Sequence, residues 1–210
     1  MKVDRLKGLF GDLERERVDW IVLRKHDHIP DKISISEDID LLCKREQRDG
    51  ILRTYQSAGY AFHEDPREYN TYLYGAYPHD HFVDKENDIH VDIVYKLSYR
   101  SPNRGEWIPV HEELQSDIWD NIVEVGAFWK YKASPVDELI HILCHCIFDK
   151  RACLPYYRTL IRELIGHTDT RLLSRKLELI FFSFAPKLVE YILSDDMDGI
   201  FEKYITFKDY

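Results

Sequence analysis

The run Ser36-Glu37-Asp38-Ile39-Asp40-Leu41-Leu42-Cys43 limits most narrowly what the chain can fold into. It alternates as a strand does, with Glu37, Ile39, Leu41 and Cys43 on one side and Asp38, Asp40 and Leu42 on the other. The apolar side wants a core. The two carboxylates on the reverse side want water, a counter-charge or a cation. A second run, NDIHVDIVYKL over 87–97, is rich in β-branched residues and sets Asp92 among apolar neighbours. A carboxylate within a sheet is costly unless it is paired or bound to metal.

Around these two runs the pattern predicts an α/β (α+β) protein, a mixed sheet flanked by helices. Val3, Leu6, Phe10 and Leu13 recur at helical spacing within 3–17. DWIVLRK (19–25) reads as a buried strand, followed by the polar loop HDHIPDKIS. Residues 45–58 read as a helix ended by Gly59, which suits a left-handed position. YAFHED reads as a short strand. NTYLYGAY (70–77) reads as another, joined through the linker PHDHFVDKE to the Asp92 strand. SPNRGEWIPV reads as a loop, broken by Pro102, Gly105 and Pro109. From Ser134-Pro135, an N-cap with proline at the first helical position, helical periodicity runs to residue 205. The expected division is an α/β unit over 1–132 and a helical unit over 133–210.

A net charge of −9 over 210 residues argues against bulk nucleic-acid binding, which rests on many Lys and Arg at phosphates. The start MKVDRLKGLF lacks the layout of a signal peptide, and no apolar run approaches the ~18 residues of a membrane span. The expectation is a soluble, cytoplasmic protein with no membrane span. Cys144 and Cys146 are two residues apart, about 200° around a helix. With Cys43 and Cys153 they read as reduced thiols.

Chemistry concentrates at Asp38, Asp40 and Asp92. Phosphoryl and nucleotidyl transfer need dense negative charge neutralised, and Mg²⁺ or Mn²⁺ does this through carboxylates, phosphate oxygens and water. Side chains at i and i+2 of a strand project in parallel, and a carboxylate from a neighbouring strand completes a site for two ions roughly 4 Å apart. A solvated polar sheet face is the other reading of the same pattern. If the hairpin closes at Asp84–Asn87, residue 81 faces 90 and residue 79 faces 92, so His79, His81, His90 and Asp92 share one face. That group suits a transition-metal site, a phosphate-binding set of imidazoles, or a plain polar face. His141 and His145 continue Asp137 and Asp149 along one helix row, as a cleft lining or a satisfied pair. Arg100, Arg104, Lys150 and Arg151 are candidate phosphate or acceptor contacts. Trp107, Trp119 and Trp129 fit core packing or base stacking.

In WIVLRKHDHIP, SEDIDLLC and IHVDIVYKLSYRS, and more loosely in SPVDELIHILCHCIFDKR, the chain resembles the nucleotidyltransferase superfamily whose best-known member is DNA polymerase β. It is similar in particular to bacterial or archaeal members associated with surface-polysaccharide loci. The resemblance implies a metal-dependent transfer of a nucleoside monophosphate from a nucleoside triphosphate, ATP or another, to a hydroxyl on a small-molecule, glycan or protein acceptor. It implies that Asp38 and Asp40 are paired Mg²⁺ ligands, and that Asp92 is the third carboxylate and helps deprotonate the acceptor. The family usually carries a Gly-Ser or Gly-Gly pair after its first strand, where Leu23-Arg24-Lys25 stands here. Arg24 and Lys25, with Ser34 and Ser36 nearer the Asp pair, are then the expected phosphate contacts. Two alternatives remain: a non-catalytic nucleotide-binding or regulatory module of the same fold, and a His/Asp metal-dependent phosphohydrolase.

Overall fold

Trp20 and Val22 of β1 (Trp20–Val22), Ile39, Leu41 and Cys43 of β2 (Ile39–Cys43), and Val91 and Ile93 of β5 (Ile89–Val94) all point into one hydrophobic core. The computed structural model describes residues 2–63, 71–101, 106–126 and 129–204. The chain is a mixed α/β protein whose contacts divide into two units. The first holds residues 1–72, 76–97 and 122–132, and the second residues 73–75, 98–121 and 133–210.

The first unit is built on a seven-stranded sheet of order β3-β4-β5-β2-β1-β9-β8, with β3 Ala61–His63, β4 Asp80–Asp84, β8 Val123–Glu124 and β9 Tyr131–Lys132. β2 runs parallel to β5 and antiparallel to β1, while β4 runs antiparallel to β5. Helices α1 (Lys2–Arg15) and α2 (Arg48–Ser57) cover the core face. α1 buries Leu6, Leu9, Phe10 and Leu13, and Phe10 stacks on Trp20 with ring centres 4.8 Å apart. α2 sends Tyr55 onto Phe82 of β4 at 4.1 Å. Each large side chain so buried contributes about 1.5–3 kcal/mol. Gly59 ends α2 at φ +80, a left-handed conformation that costs glycine little.

The strand beside β5 comes from the segment that reads in sequence as a linker. β4 is Asp-His-Phe-Val-Asp, and its charged ends mask it. Both aspartates are nonetheless buried, because helix arginines meet them. Arg48 of α2 holds Asp80 with two bonds of 2.8 Å, and Arg5 of α1 reaches Asp84 at 2.6 Å. Tyr95 adds a hydroxyl to Asp80 at 2.5 Å. Within the expected strand 70–77, Tyr74 and Gly75 instead form a turn, both with positive φ. Residues 64–70, which include the end of the expected strand YAFHED, lie outside the described residues.

The second unit is mainly helical, with α3 Glu112–Asp120, α4 Pro135–Cys144, α5 Pro155–Ile165, α6 Thr170–Phe181, α7 Ala185–Leu193 and α8 Met197–Tyr204. The Ser134 hydroxyl accepts the backbone N–H of Asp137 and donates to its carboxylate, so the cap sits where the sequence places it. α4 passes into a π-helical turn over His145–Lys150. The segment expected as a loop contributes a strand, Trp107–Pro109 (β7), which pairs with Ser98–Arg100 (β6) just before that segment, and Arg100 faces Trp107. The prolines and glycine that mark it as a loop fall between or at the ends of these strands. The last passage from the first unit to the second lies at 132/133, but residues 98–121 cluster with the helices rather than with the sheet.

Lys176 is buried between Asp137 at 2.6 Å and Asp117 at 2.7 Å. His141 and His145, the possible cleft lining, are buried and paired inside this unit. Tyr99 lies 2.7 Å from His141 Nδ1, and Asp149 3.0 Å from His145 Nδ1.

Candidate metal centre

The reverse face of the first unit's sheet carries the candidate residues for chemistry. On β2 the core takes Ile39, Leu41 and Cys43, so Asp40 turns the other way, as does Asp38 two residues before it. On β5 the core takes Ile89, Val91 and Ile93, which turns His90 and Asp92 to the same reverse face. The parallel β2–β5 ladder sets Asp40 directly against Asp92. Asp38, Asp40 and Asp92 each bring a carboxylate oxygen into a group whose members all lie within 4.8 Å of one another.

Two imidazoles join this group. The β4–β5 register is Val83↔His90 and His81↔Asp92, two residues away from the one expected from a turn at Asp84–Asn87. An even shift keeps every side chain on its face but changes its partner. His81 therefore stands across from Asp92, and His79 falls before the strand. Its ring lies 6.3 Å from that of His81 and 5.7 Å from Tyr72, and it is in neither candidate set of ligand atoms. His81 Nδ1 and His90 Nε2 each lie 2.7 Å from the same oxygen, Oδ1 of Asp92. His81, His90 and Asp92 are the second set of ligand atoms lying within 4.8 Å of one another among the described residues.

The cations after β1 lie against the carboxylates. Arg24 grips Asp40 with two bonds, Nε to Oδ2 at 2.6 Å and a terminal nitrogen to Oδ1 at 2.9 Å. Lys25, at φ 58, reaches Glu37 at 2.7 Å and Asp38 at 3.3 Å. Arg24 and Lys25, the expected phosphate contacts, thus meet carboxylates. Two-pronged Arg–carboxylate geometry is the reason Arg24 finds Asp40 so readily. The Ser34 and Ser36 hydroxyls lie 2.9 Å apart, in a turn closed by Ser34 and Glu37 just before Asp38. Glu37, on the apolar side of the alternating run, belongs to the charge network because its turn precedes the regular strand.

The electrostatics separate the three aspartates. Burial raises the Asp38 carboxyl above its ordinary range, and the charges of Asp40 and Asp92 add to this against Arg24 and Lys25. Burial pushes Asp92 upward too, but the two imidazole hydrogen bonds outweigh it and hold Asp92 well below the usual carboxylate range. The bond to Asp92 in turn raises His90, against the opposing effect of burial. The Lys25 hydrogen bond lowers Glu37.

Three carboxylates from adjacent strands supply hard oxygen donors of the kind Mg²⁺ and Mn²⁺ take. Arg100 and Lys150, also candidates in sequence, lie in the second unit, and the Arg100 guanidinium sits over the Trp107 ring at 4.9 Å. Arg104 lies outside the described residues. Trp129 is buried in the first core and stacks on His26 at 5.3 Å. No protein-family model, curated protein or solved structure matches the chain.

Proposed function

We propose that the first unit is a divalent-cation-dependent nucleotidyltransferase, moving a nucleoside monophosphate from a nucleoside triphosphate to a hydroxyl acceptor. The observation that carries this reading is the register Asp40↔Asp92 on parallel strands with Asp38 beside them, which gathers three carboxylates on one sheet face. Asp38, Asp40 and Asp92 would hold Mg²⁺ or Mn²⁺, and the cation would supply charge neutralisation for the transfer.

The chain's own residues divide the remaining work. Arg24 and Lys25 stand beside Asp40 and Asp38, and on this reading they would share these carboxylates with a cation and turn toward triphosphate oxygens. They fill the position of the glycine pair usual in the family that the sequence resembles. Asp92 is held ionised by His81 and His90, which makes it a weak base. Its part is to hold the cation and orient the acceptor hydroxyl rather than to keep that hydroxyl's proton. The acceptor, on this reading, is a small molecule, a glycan or a protein.

Titrating ATP, GTP, CTP and UTP into the protein with and without Mg²⁺ or Mn²⁺ tests the reading. At least one nucleotide should bind only with the cation, and Asp40→Asn and Asp92→Asn should each abolish that dependence. Nucleotide binding that ignores both the cation and these substitutions would contradict it. A second reading, a nucleotide-binding module without turnover, draws on the two-pronged hold of Arg24 on Asp40. It expects the same binding with no pyrophosphate released.

A further inference from the structure

The sheet face that gathers the carboxylates also brings two nitrogen donors to one of them, and that set differs chemically from three oxygens. His81 comes from the facing position on β4 and His90 from two residues earlier on β5, so the ladder itself fixes both against Asp92. His81 Nδ1 and His90 Nε2 meet a single oxygen, Asp92 Oδ1, at 2.7 Å each. The far side of His90 is held as well. Its Nδ1 lies 3.3 Å from the carbonyl of Ile35. A carbonyl only accepts, so Nδ1–H donates to it while Nε2–H donates to Asp92, and a cation taking Nε2 would displace that second hydrogen. An imidazole tethered in this way through its other nitrogen is the usual arrangement of a metal-ligating histidine.

The spacing suits an ion. Across a tetrahedral cation with bonds of about 2.0 Å, neighbouring ligand atoms stand about 3.3 Å apart. The 2.7 Å separations to Asp92 need open by only about half an ångström to reach this. The side chains of His81 and His90 are 21% and 22% exposed, which leaves a way in from solvent.

We propose that His81, His90 and Asp92 form a second cation position, selective for a transition ion of the Zn²⁺ class, with Asp92 bridging it to the Asp38–Asp40 position. Imidazole nitrogen favours Zn²⁺ over Mg²⁺, whereas the three-carboxylate set has the opposite preference. Three protein ligands leave one place of a tetrahedral ion open to water or to a phosphate oxygen, the arrangement of reactive rather than structural zinc sites. Only the shared Asp92 connects this position to the transfer reading, and the His81–His90 pair stands without it.

The test uses the full chain freed of metal by a chelator and titrated with Zn²⁺ alone, then with Co²⁺ alone as a visible stand-in. Wild type should bind Zn²⁺, and His81→Ala and His90→Ala should each weaken it at least about tenfold and alter the Co²⁺ absorption. His81→Gln and His90→Gln keep a hydrogen-bond donor toward Asp92 and should weaken Zn²⁺ in the same way, separating loss of a ligand from loss of fold. Asp38→Asn removes a neighbouring charge but no ligand of this set, so it should weaken Zn²⁺ less than either histidine variant and keep the Co²⁺ absorption. Absence of Zn²⁺ binding, histidine variants that bind like wild type, or loss of the Co²⁺ spectrum in Asp38→Asn would each overturn the proposal. Failure of the transfer reading looks different: Mg²⁺-dependent nucleotide binding that persists in Asp38→Asn, whatever the histidines do.

Discussion

Arg24 is the residue on which the state of the site turns. Its guanidinium and the Asp40 carboxylate are only 11% and 10% exposed, and two bonds join them. Removing one member of a buried pair leaves the other charge uncompensated, so Arg24→Ala should cost about 2–4 kcal/mol of stability. On the proposed function, Mg²⁺ or Mn²⁺ taken up at Asp40 would restore the lost counter-charge and stabilise the folded state by mass action. The variant's melting temperature should therefore rise more steeply with added cation than that of wild type. Thermal unfolding across a cation series checks both effects. A variant within about 0.5 kcal/mol of wild type, with the same cation response, would show that Arg24 and a cation do not share Asp40. The histidines show the same dependence on local partners. His81 and His90 reach Asp92 because they lie on its face in the true register, and His79 misses the group because it precedes the strand.

At the scale of elements, β4 shows where sequence reading succeeds and where it stops. The strands with long apolar alternation, β2 and β5, and the helix α4 with its Ser134 cap are legible, because burial on one face writes a period into the sequence. So are the three aspartates, which keep that period on the face opposite the apolar one. β4 is not legible, because its ends are charged and their burial depends on Arg5 and Arg48 from helices far away in the chain. The even register shift of the β4–β5 hairpin escapes for a related reason: both registers put the same residues on the same face. β6 and β7 are three residues each, too short to carry a period, and hold together by pairing. The Arg5–Asp84 pair that pins α1 to the end of β4 gives a pH test of this view. Burial pushes the Asp84 carboxyl up, but hydrogen bonds from Arg5 and Asn87 prevail and lower it below its ordinary value. A group lowered in the folded state stabilises above its unfolded value of about 3.9, and the contribution is lost as pH falls through the folded value. Asp84→Asn should therefore destabilise by about 1–3 kcal/mol at pH 7, and the gap should narrow below about pH 4. Urea unfolding from pH 7 to pH 3 measures it. A gap that stays constant to pH 3 would mean that the pair does not pin the helix.

Across the whole molecule, each of the two units carries its own hydrophobic core, and the candidate chemistry lies on the sheet of the first. The change of character near residue 132 is visible in the sequence because helical periodicity begins at Ser134. The membership of residues 98–121 in the second unit is not, because it depends on contacts made after the chain returns. No helix among the described residues is long and apolar enough to cross a membrane. A net charge of −9 sets most of the surface against polyphosphates, so a triphosphate needs cations or a local basic pair to approach Asp38, Asp40 and Asp92. On the proposed function these carboxylates hold divalent cations for a bound nucleotide. A crystal soaked with Mn²⁺ and a nonhydrolysable nucleoside triphosphate, measured for anomalous scattering from manganese, puts this to the test. The expected result is a manganese peak within about 2.5 Å of oxygens from Asp38, Asp40 and Asp92, with triphosphate oxygens completing its shell. Arg24 still gripping Asp40, with no manganese at the three carboxylates, would contradict it.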